Sequence, residues 1–274
     1  MQASSRKLAA FRKTILGYYR KHGRDLPWRH TITPYRVVVS EIMLQQTQVE
    51  RVALKYPVFI KTFPSFAALA KASVAEVLRA WQGLGYNRRA LALKKIAELV
   101  VRDYKGKLPS NPHELEKMPG IGRATAGSIA AFGFNKPVVF IETNIRRVFI
   151  HFFFAKTKKK VHDDDIMPLA KAALHRKNPR AWYSALMDYG TMLAKKVENP
   201  NRRSVHHVKQ SKFDGSDRQV RGKILKLLIA RNSARIPYLA RELREPTVRV
   251  RKIADGLAKD KLISLRKGIL CISI

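Results

Sequence analysis

Two carboxylates stand out in a chain of 274 residues that carries 55 Lys plus Arg against 20 Asp plus Glu. Glu41 lies in Ser40-Glu-Ile-Met-Leu-Gln-Gln-Thr-Gln-Val49, between the apolar runs Val37–Val39 and Ile42–Leu44. That setting predicts partial burial, and a buried carboxyl keeps its proton to higher pH and can act as a general acid. A plain surface charge is the alternative. Glu142 lies in Phe140-Ile-Glu-Thr-Asn-Ile-Arg-Arg147, where Thr143 and Asn144 mark a helix start. A helix N-terminus stabilises a carboxylate as an anion, and a simple capping residue is the alternative. Between the two acids, Met118–Gly127 reads MPGIGRATAG. Pro119 closes one helix, Gly120 and Gly122 free the turn, and Arg123 to Ala126, with Thr125 among them, open the next. Bare backbone N–H groups beside a positive helix end make an anion seat, although Pro and Gly also punctuate ordinary helix–helix turns. The chain from Gly122 to Glu142 suffices for one helix and a turn, which would return Glu142 beside that seat.

The elements that must position these groups are helical. From residue 5 to about 195, apolar residues recur three and four apart, as in Phe66–Leu78, Ala90–Tyr104 and Pro168–His175, with no run of strand-like alternation. Breakers at Pro64-Ser65, Gly83-Leu84-Gly85, Gly106 to Pro112 and Asn178-Pro179, and caps such as Ser65 and Ser73 with Glu76, predict about ten helices. Lys156–Lys160 followed by Asp163–Asp165 reads as a charged loop. Residues 198–217 are polar and basic without apolar periodicity and read as a linker or extended loop. Beyond it, helical patterns over Arg218–Ala230, Pro237–Leu243 and Thr247–Lys259 precede a hairpin about Arg266-Lys267-Gly268, an order that resembles a winged-helix domain. In that fold the third helix enters the major groove, a role suited to Arg249, Arg251 and Lys252; a protein-interaction module is the alternative. Domains are thus expected at 1–197 and 218–274, joined by the 198–217 linker.

A net charge of +35 predicts attraction to polyanions and steep salt dependence. The N-terminal MQASSRKLAAFRK lacks a secretory pattern, and no apolar run is long enough to span a membrane. Cys271 is the single cysteine, which excludes an internal disulfide and fits a reducing cytoplasm. The expectation is a cytoplasmic, monomeric protein without a membrane partner.

Six segments, Asp25–Arg29, Pro34-Tyr35, Ser40–Val49, Trp81–Tyr86, Met118–Gly127 and Met187–Gly190, stand in the order found in the adenine DNA glycosylases, the MutY-type branch of the helix-hairpin-helix base-excision repair superfamily. The chain resembles that family over residues 5–195. The resemblance implies an all-α, two-lobed helix-hairpin-helix fold and a double-stranded DNA partner containing a mismatch or lesion. The target adenine would be opposite 8-oxoguanine or guanine, and it would be flipped out at a cost of a few kcal/mol. Glu41 matches the acid that protonates adenine N7. Glu142 matches the carboxylate that steadies the oxocarbenium-like sugar, and Asn144 a polar residue that helps hold the pocket, a division of labour known from glycoside hydrolysis. Gln45, Gln46 and Tyr86 match wedge positions, where an aromatic face replaces base stacking at about 1–3 kcal/mol. Trp28 and Arg29 match residues lining the base pocket, Arg29 reaching either a purine edge or a phosphate. Gly120, Gly122, Arg123 and Thr125 fall on the phosphate-binding hairpin, whose carbonyls bind a structural Na⁺ or K⁺ in the family. Strand-cleaving relatives carry a lysine where this chain has Ala124, so no Schiff base is expected there.

The chain departs from the family pattern in three ways. Glu142 stands where the family has Asp, a change of one methylene, and misplacement on that scale can cost about a hundredfold in rate. The loop just after Asp188-Tyr189-Gly190 holds no cysteine, and Cys271 alone cannot supply four thiolates, so the family's [4Fe–4S] cluster is not expected. The basic stretch Asn199–Lys212 replaces them, and its His206 and His207 lack further ligands at zinc-binding spacing. The usual C-terminal domain that recognises 8-oxoguanine is replaced by the winged-helix-like segment. A thymine or uracil glycosylase of the same fold is one alternative, which Glu41 opposes because a pyrimidine has no N7. A catalytically impaired damage-binding protein is the other.

Overall fold

A computed structural model describes residues 4–157, 159–208, 212–266 and 268–273. In chain order the α-helices are α1 (Ser5–His22), α2 (Pro34–Leu44), α3 (Val49–Thr62), α4 (Phe66–Lys71), α5 (Val74–Trp81), α6 (Arg88–Asp103), α7 (Pro112–Glu116), α8 (Arg123–Phe134), α9 (Thr143–Phe153), α10 (Asp163–Ala173) and α11 (Pro179–Lys196). Then follow α12 (Asp217–Arg231), β1 (Ser233–Arg235), α13 (Ile236–Leu243), α14 (Thr247–Lys259), β2 (Ile263–Arg266) and β3 (Ile269–Ile272), with short 3₁₀ turns at Pro27–Arg29 and Pro200–Arg203. The chain divides into two compact units: residues 1–37, 110–117 and 121–209 form the first, and residues 38–109, 118–120 and 210–274 the second.

The first unit closes around an aromatic cluster. The Phe11 ring from α1 meets Phe149, Phe153 and Trp182 edge-on at 5.2, 5.1 and 5.8 Å, each such pair adding about 0.5–1.5 kcal/mol beyond burial. These residues place α9 and α11 side by side, with Ile145, Val148 and Leu186 buried between them. Gly190 permits the approach: a Cβ there would sit 2.7 Å from Asn144 Cβ and 2.7 Å from its carbonyl oxygen.

In the second unit, α4 and α5 begin at the Ser65 and Ser73 caps, the latter a full capping box with Glu76. The apolar pattern over Phe66–Leu78 is therefore two helices. Trp81 at the end of α5 is fully buried, and its indole donates to Gly85 O at 3.0 Å. The C-terminal segment belongs to this unit. It has the helix, strand, helix, helix, wing order of a winged helix, with an antiparallel sheet ordered β1-β3-β2 that pairs Ala234 and Leu265 with Leu270. Strand β1 has only three residues, too few for a periodic signal.

Two expectations are corrected. Asp163–Asp165 form the first turn of α10 rather than a loop. The His162 amide donates to Asp165 Oδ2 at 2.9 Å, and Asp163 takes both prongs of Arg146 at 2.6 and 2.7 Å. Acidic residues suit a positive helix start, which is why a charge run ends up ordered. The 198–217 stretch is not a plain linker either: Asn201, in its 3₁₀ turn, is buried and donates to Thr143 O at 2.9 Å. The described residues 198–208 belong to the first unit, and the expected 1–197 body divides between the two. Lys267, within the expected wing turn, lies outside the described residues.

Candidate active site and nucleic-acid interface

Glu142 is the N-cap of α9. The Asn144 and Ile145 amides donate to its Oε1 at 2.6 and 2.8 Å, and the Asn144 side-chain amide donates to Oε2 at 3.3 Å. Burial raises the Glu142 pKa, while the two amides and the charges of Arg147 and Arg146 pull against that rise. Arg147, itself buried, donates to Asn144 Oδ1 at 2.7 Å, Gly190 O at 2.8 Å and Asn199 Oδ1 at 3.1 Å. Desolvation lowers the Arg147 pKa and the Glu142 charge opposes the change. The carboxylate is therefore fixed by its helix end, and Asn144 is fixed from behind by a guanidinium. The result is a rigid negative group able to steady a neighbouring cation or accept a proton.

The hairpin takes the expected form. Gly120 is left-handed at φ +76°, and a Cβ there would lie 2.9 Å from Ala92 Cβ. Gly122 is the N-cap of α8, with no side chain to close over the helix start, and both Gly122 and Arg123 are exposed while Thr125 is half-buried. An exposed helix start of this kind suits a phosphate.

In the second unit Glu41 is half-buried on α2, whose flanking Val39, Ile42 and Met43 are fully buried. Gln45 donates to Gly120 O at 3.0 Å. Gln46 and Tyr86 both adopt left-handed backbones, at φ 55° and 47°, and are exposed. Gln45, Gln46 and Tyr86 line one concavity of about 1170 Å³. The expected wedge residues are thus brought together. Glu41 belongs to this unit, and Glu142, Asn144, Trp28 and Arg29 to the other.

What holds the loops of Gln45, Gln46 and Tyr86 is Arg89, which the sequence does not single out. Its guanidinium is buried among carbonyls. It donates to Ile42 O and Met43 O at 2.9 and 2.8 Å, to Gln45 O, to Thr47 Oγ1 at 2.8 Å, and to Leu84 O and Gly85 O, each at 3.1 Å. Desolvation lowers its pKa to about 10, the Tyr86 phenol opposing, so it stays cationic at neutral pH. One side chain thereby fixes both loops that carry Gln45, Gln46 and Tyr86.

Two residues expected at DNA have partners within the protein. Arg29 donates to Asp188 Oδ1 and Oδ2, both at 2.9 Å, and to Arg24 O at 3.0 Å. Burial works against the Asp188 charge, but the hydrogen bonds and charges of Arg29 and Arg24 outweigh it and hold its pKa low. Arg29 is thus held against Asp188 within the first unit. Arg249 is likewise held by Asp217 at 2.8 Å, Glu245 at 2.9 Å and Gly215 O at 2.7 Å. Trp28 is half-buried in its 3₁₀ turn. Among the described residues, no cluster of three His, Cys, Asp or Glu could hold a metal ion; His206 faces Asp163 at 3.7 Å. No described helix is long and apolar enough to cross a membrane.

Residues 39–167 match the family described as HhH-GPD superfamily base excision DNA repair protein. The adenine DNA glycosylase of Mycobacterium tuberculosis is 33% identical over 255 residues, 84% of this chain and 81% of that protein. The adenine DNA glycosylase of Buchnera aphidicola is 36% identical over 191 residues, 69% of this chain but 54% of that protein, so the chain spans about half of that relative's length. Among solved structures, a thermostable thymine-DNA glycosylase superposes with a TM-score of 0.65 at 26% identity, covering 74% of this chain and 95% of that one. An endonuclease III trapped covalently on DNA gives 0.56 at 16% identity, covering 70% and 86%. The fold, the hairpin and the length of the mycobacterial match agree, and this chain belongs to the adenine DNA glycosylase family of helix-hairpin-helix base excision repair proteins.

Proposed function

We propose that this protein excises mispaired adenine from double-stranded DNA, opposite guanine or 8-oxoguanine, by hydrolysing the N-glycosidic bond of an extruded nucleotide. The hairpin holds a phosphate, and Gln45, Gln46 and Tyr86 fill the gap left in the stack. Glu41 donates a proton to adenine N7, which turns the base into a neutral leaving group. The C1′–N9 bond breaks, and Glu142 steadies the oxocarbenium-like sugar with Asn144 beside it. An incoming water then gives its oxygen to C1′ and its proton to Glu142. The observation that carries this reading is the Glu142 carboxylate, pinned by two α9 amides yet kept basic by burial.

Several finer assignments belong to the same proposal. With Ala124 in place of an amine, the product is an intact strand with an abasic site. The protein works as a monomer beside the chromosome in the cytoplasm. Its single cysteine cannot supply four thiolates, so it works without an iron–sulfur cluster. The hairpin's carbonyl oxygens are the donor set a hard alkali cation requires, and Gly120 O, which accepts from Gln45, is one of them.

The superposition on a thymine-DNA glycosylase favours one second reading, removal of thymine or uracil opposite guanine. Single-turnover excision on duplexes with A opposite 8-oxoguanine, A opposite G, T opposite G and U opposite G separates the two. The proposal predicts the adenine duplexes to be processed at least a hundredfold faster than the pyrimidine duplexes. Faster excision of T or U would replace it with the second reading.

A further inference from the structure

The concavity that holds Gln45, Gln46 and Tyr86 has a second wall, and that wall comes from the C-terminal module. Helix α12 buries Val220, Ile224, Leu225 and Leu228. It presents Arg218, Lys223 and Lys226 to the concavity, where Arg51 and Lys55 of α3 form the other side. Arg218 donates to the Tyr86 hydroxyl at 2.8 Å and sits 6.0 Å from the ring centroid. The carboxylate lining the space, Asp260, is already held by Arg88 and Arg221. A concavity lined by cations from α12 and α3 and by an exposed aromatic is the chemistry of a nucleic-acid strand: phosphates on the cations and a base face on the ring.

The third helix of the module, α14, offers less. Arg249 is consumed by Asp217 and Glu245, and the exposed Arg251 and Lys252 do not line the concavity. We propose that the C-terminal module meets DNA through α12 rather than α14, with Lys223 and Lys226 gripping phosphates of the strand that runs past Tyr86. This rests on the duplex-binding reading above and adds the module's contact face to it. The winged-helix order thus serves as a clamp wall whose first helix does the work.

The test is the salt dependence of duplex affinity, measured on the full chain with an A opposite G probe. All four lysine and arginine positions to be changed are exposed, and thermal melting confirms that each variant folds. Lys223→Ala/Lys226→Ala is expected to weaken binding at least tenfold at low salt and to flatten the slope of log K against log salt by about 1.8, or 0.9 per lost phosphate contact. Arg251→Ala/Lys252→Ala is expected to leave the slope within half a unit of wild type. A flattened slope for the α14 pair alone, for both pairs, or for neither overturns the proposal. If the wild-type chain has no affinity for this duplex, the functional reading itself fails and this proposal falls with it.

Discussion

Arg89 and Arg147 are both buried arginines, one in each unit, and they hold different kinds of neighbour. Arg89 donates almost entirely to backbone carbonyls and fixes two loops that carry Gln45, Gln46 and Tyr86. Arg147 donates to the carboxamides of Asn144 and Asn199 and to Gly190 O, beside a titratable acid. The first arrangement shapes a surface, and the second sets the surroundings of an acid. In the proposed reaction, side chains that enter a duplex must be rigid, whereas a carboxylate that steadies a cation must be rigid and also remain basic. The same residue type meets the two demands by choosing different acceptors.

That comparison breaks if the two arginines prove interchangeable in effect. Arg89→Met strands several buried carbonyls at about 1–3 kcal/mol each, so we expect at least about 3 kcal/mol lost in denaturant melts. Duplex binding and excision should fall together. Native-like stability in this variant would remove Arg89 from its structural role. Arg147→Met should cost less stability but slow single-turnover excision at least about tenfold, because Asn144 loses the donor behind it. Duplex affinity should stay within about twofold. The reverse split, affinity lost and rate kept, would place Arg147 with the wedge. Gly190→Ala tests the same site from α11: the added methyl meets the Asn144 backbone, and overpacking of this kind costs about 1–3 kcal/mol.

The smallest effect is a pH dependence. Burial raises the Glu142 pKa in the folded state, so charging it on folding costs stability. The cost is absent below the ordinary glutamate range and fully present once the pH passes the raised value. Glu142→Gln should therefore gain stability relative to wild type as pH rises from about 4 to 8, while losing excision. A difference that shrinks over that interval would reverse the sign assigned to burial.

Much of the site was legible in the chain because its signals are local. Glu142-Thr-Asn reads as a helix start, Met118–Gly127 as a turn between helices, and Ser73 with Glu76 as a cap, since each is decided within a few residues. Arg89 was not legible: among 55 basic residues, an arginine beside Arg88 looks like surface until its carbonyl partners are seen. The pairing of Arg29 is hidden for the same reason, its partner Asp188 lying 159 positions away. The pairing of Arg249 is only partly local, since Glu245 lies 4 positions away but Asp217 lies 32. Asp163–Asp165 misled because composition suggested solvent, whereas helix electrostatics rewards acids at a first turn.

Whether Glu41 delivers a proton to adenine N7 is tested by single-turnover excision of adenine against 7-deazaadenine in the same mismatched duplex. The account predicts that Glu41→Gln slows adenine excision by about 10²–10⁴ while mismatch binding persists. It also predicts that wild type is slow on 7-deazaadenine and that the variant adds no further loss there. Adenine excision unchanged in Glu41→Gln, or rapid release of 7-deazaadenine by wild type, would contradict it.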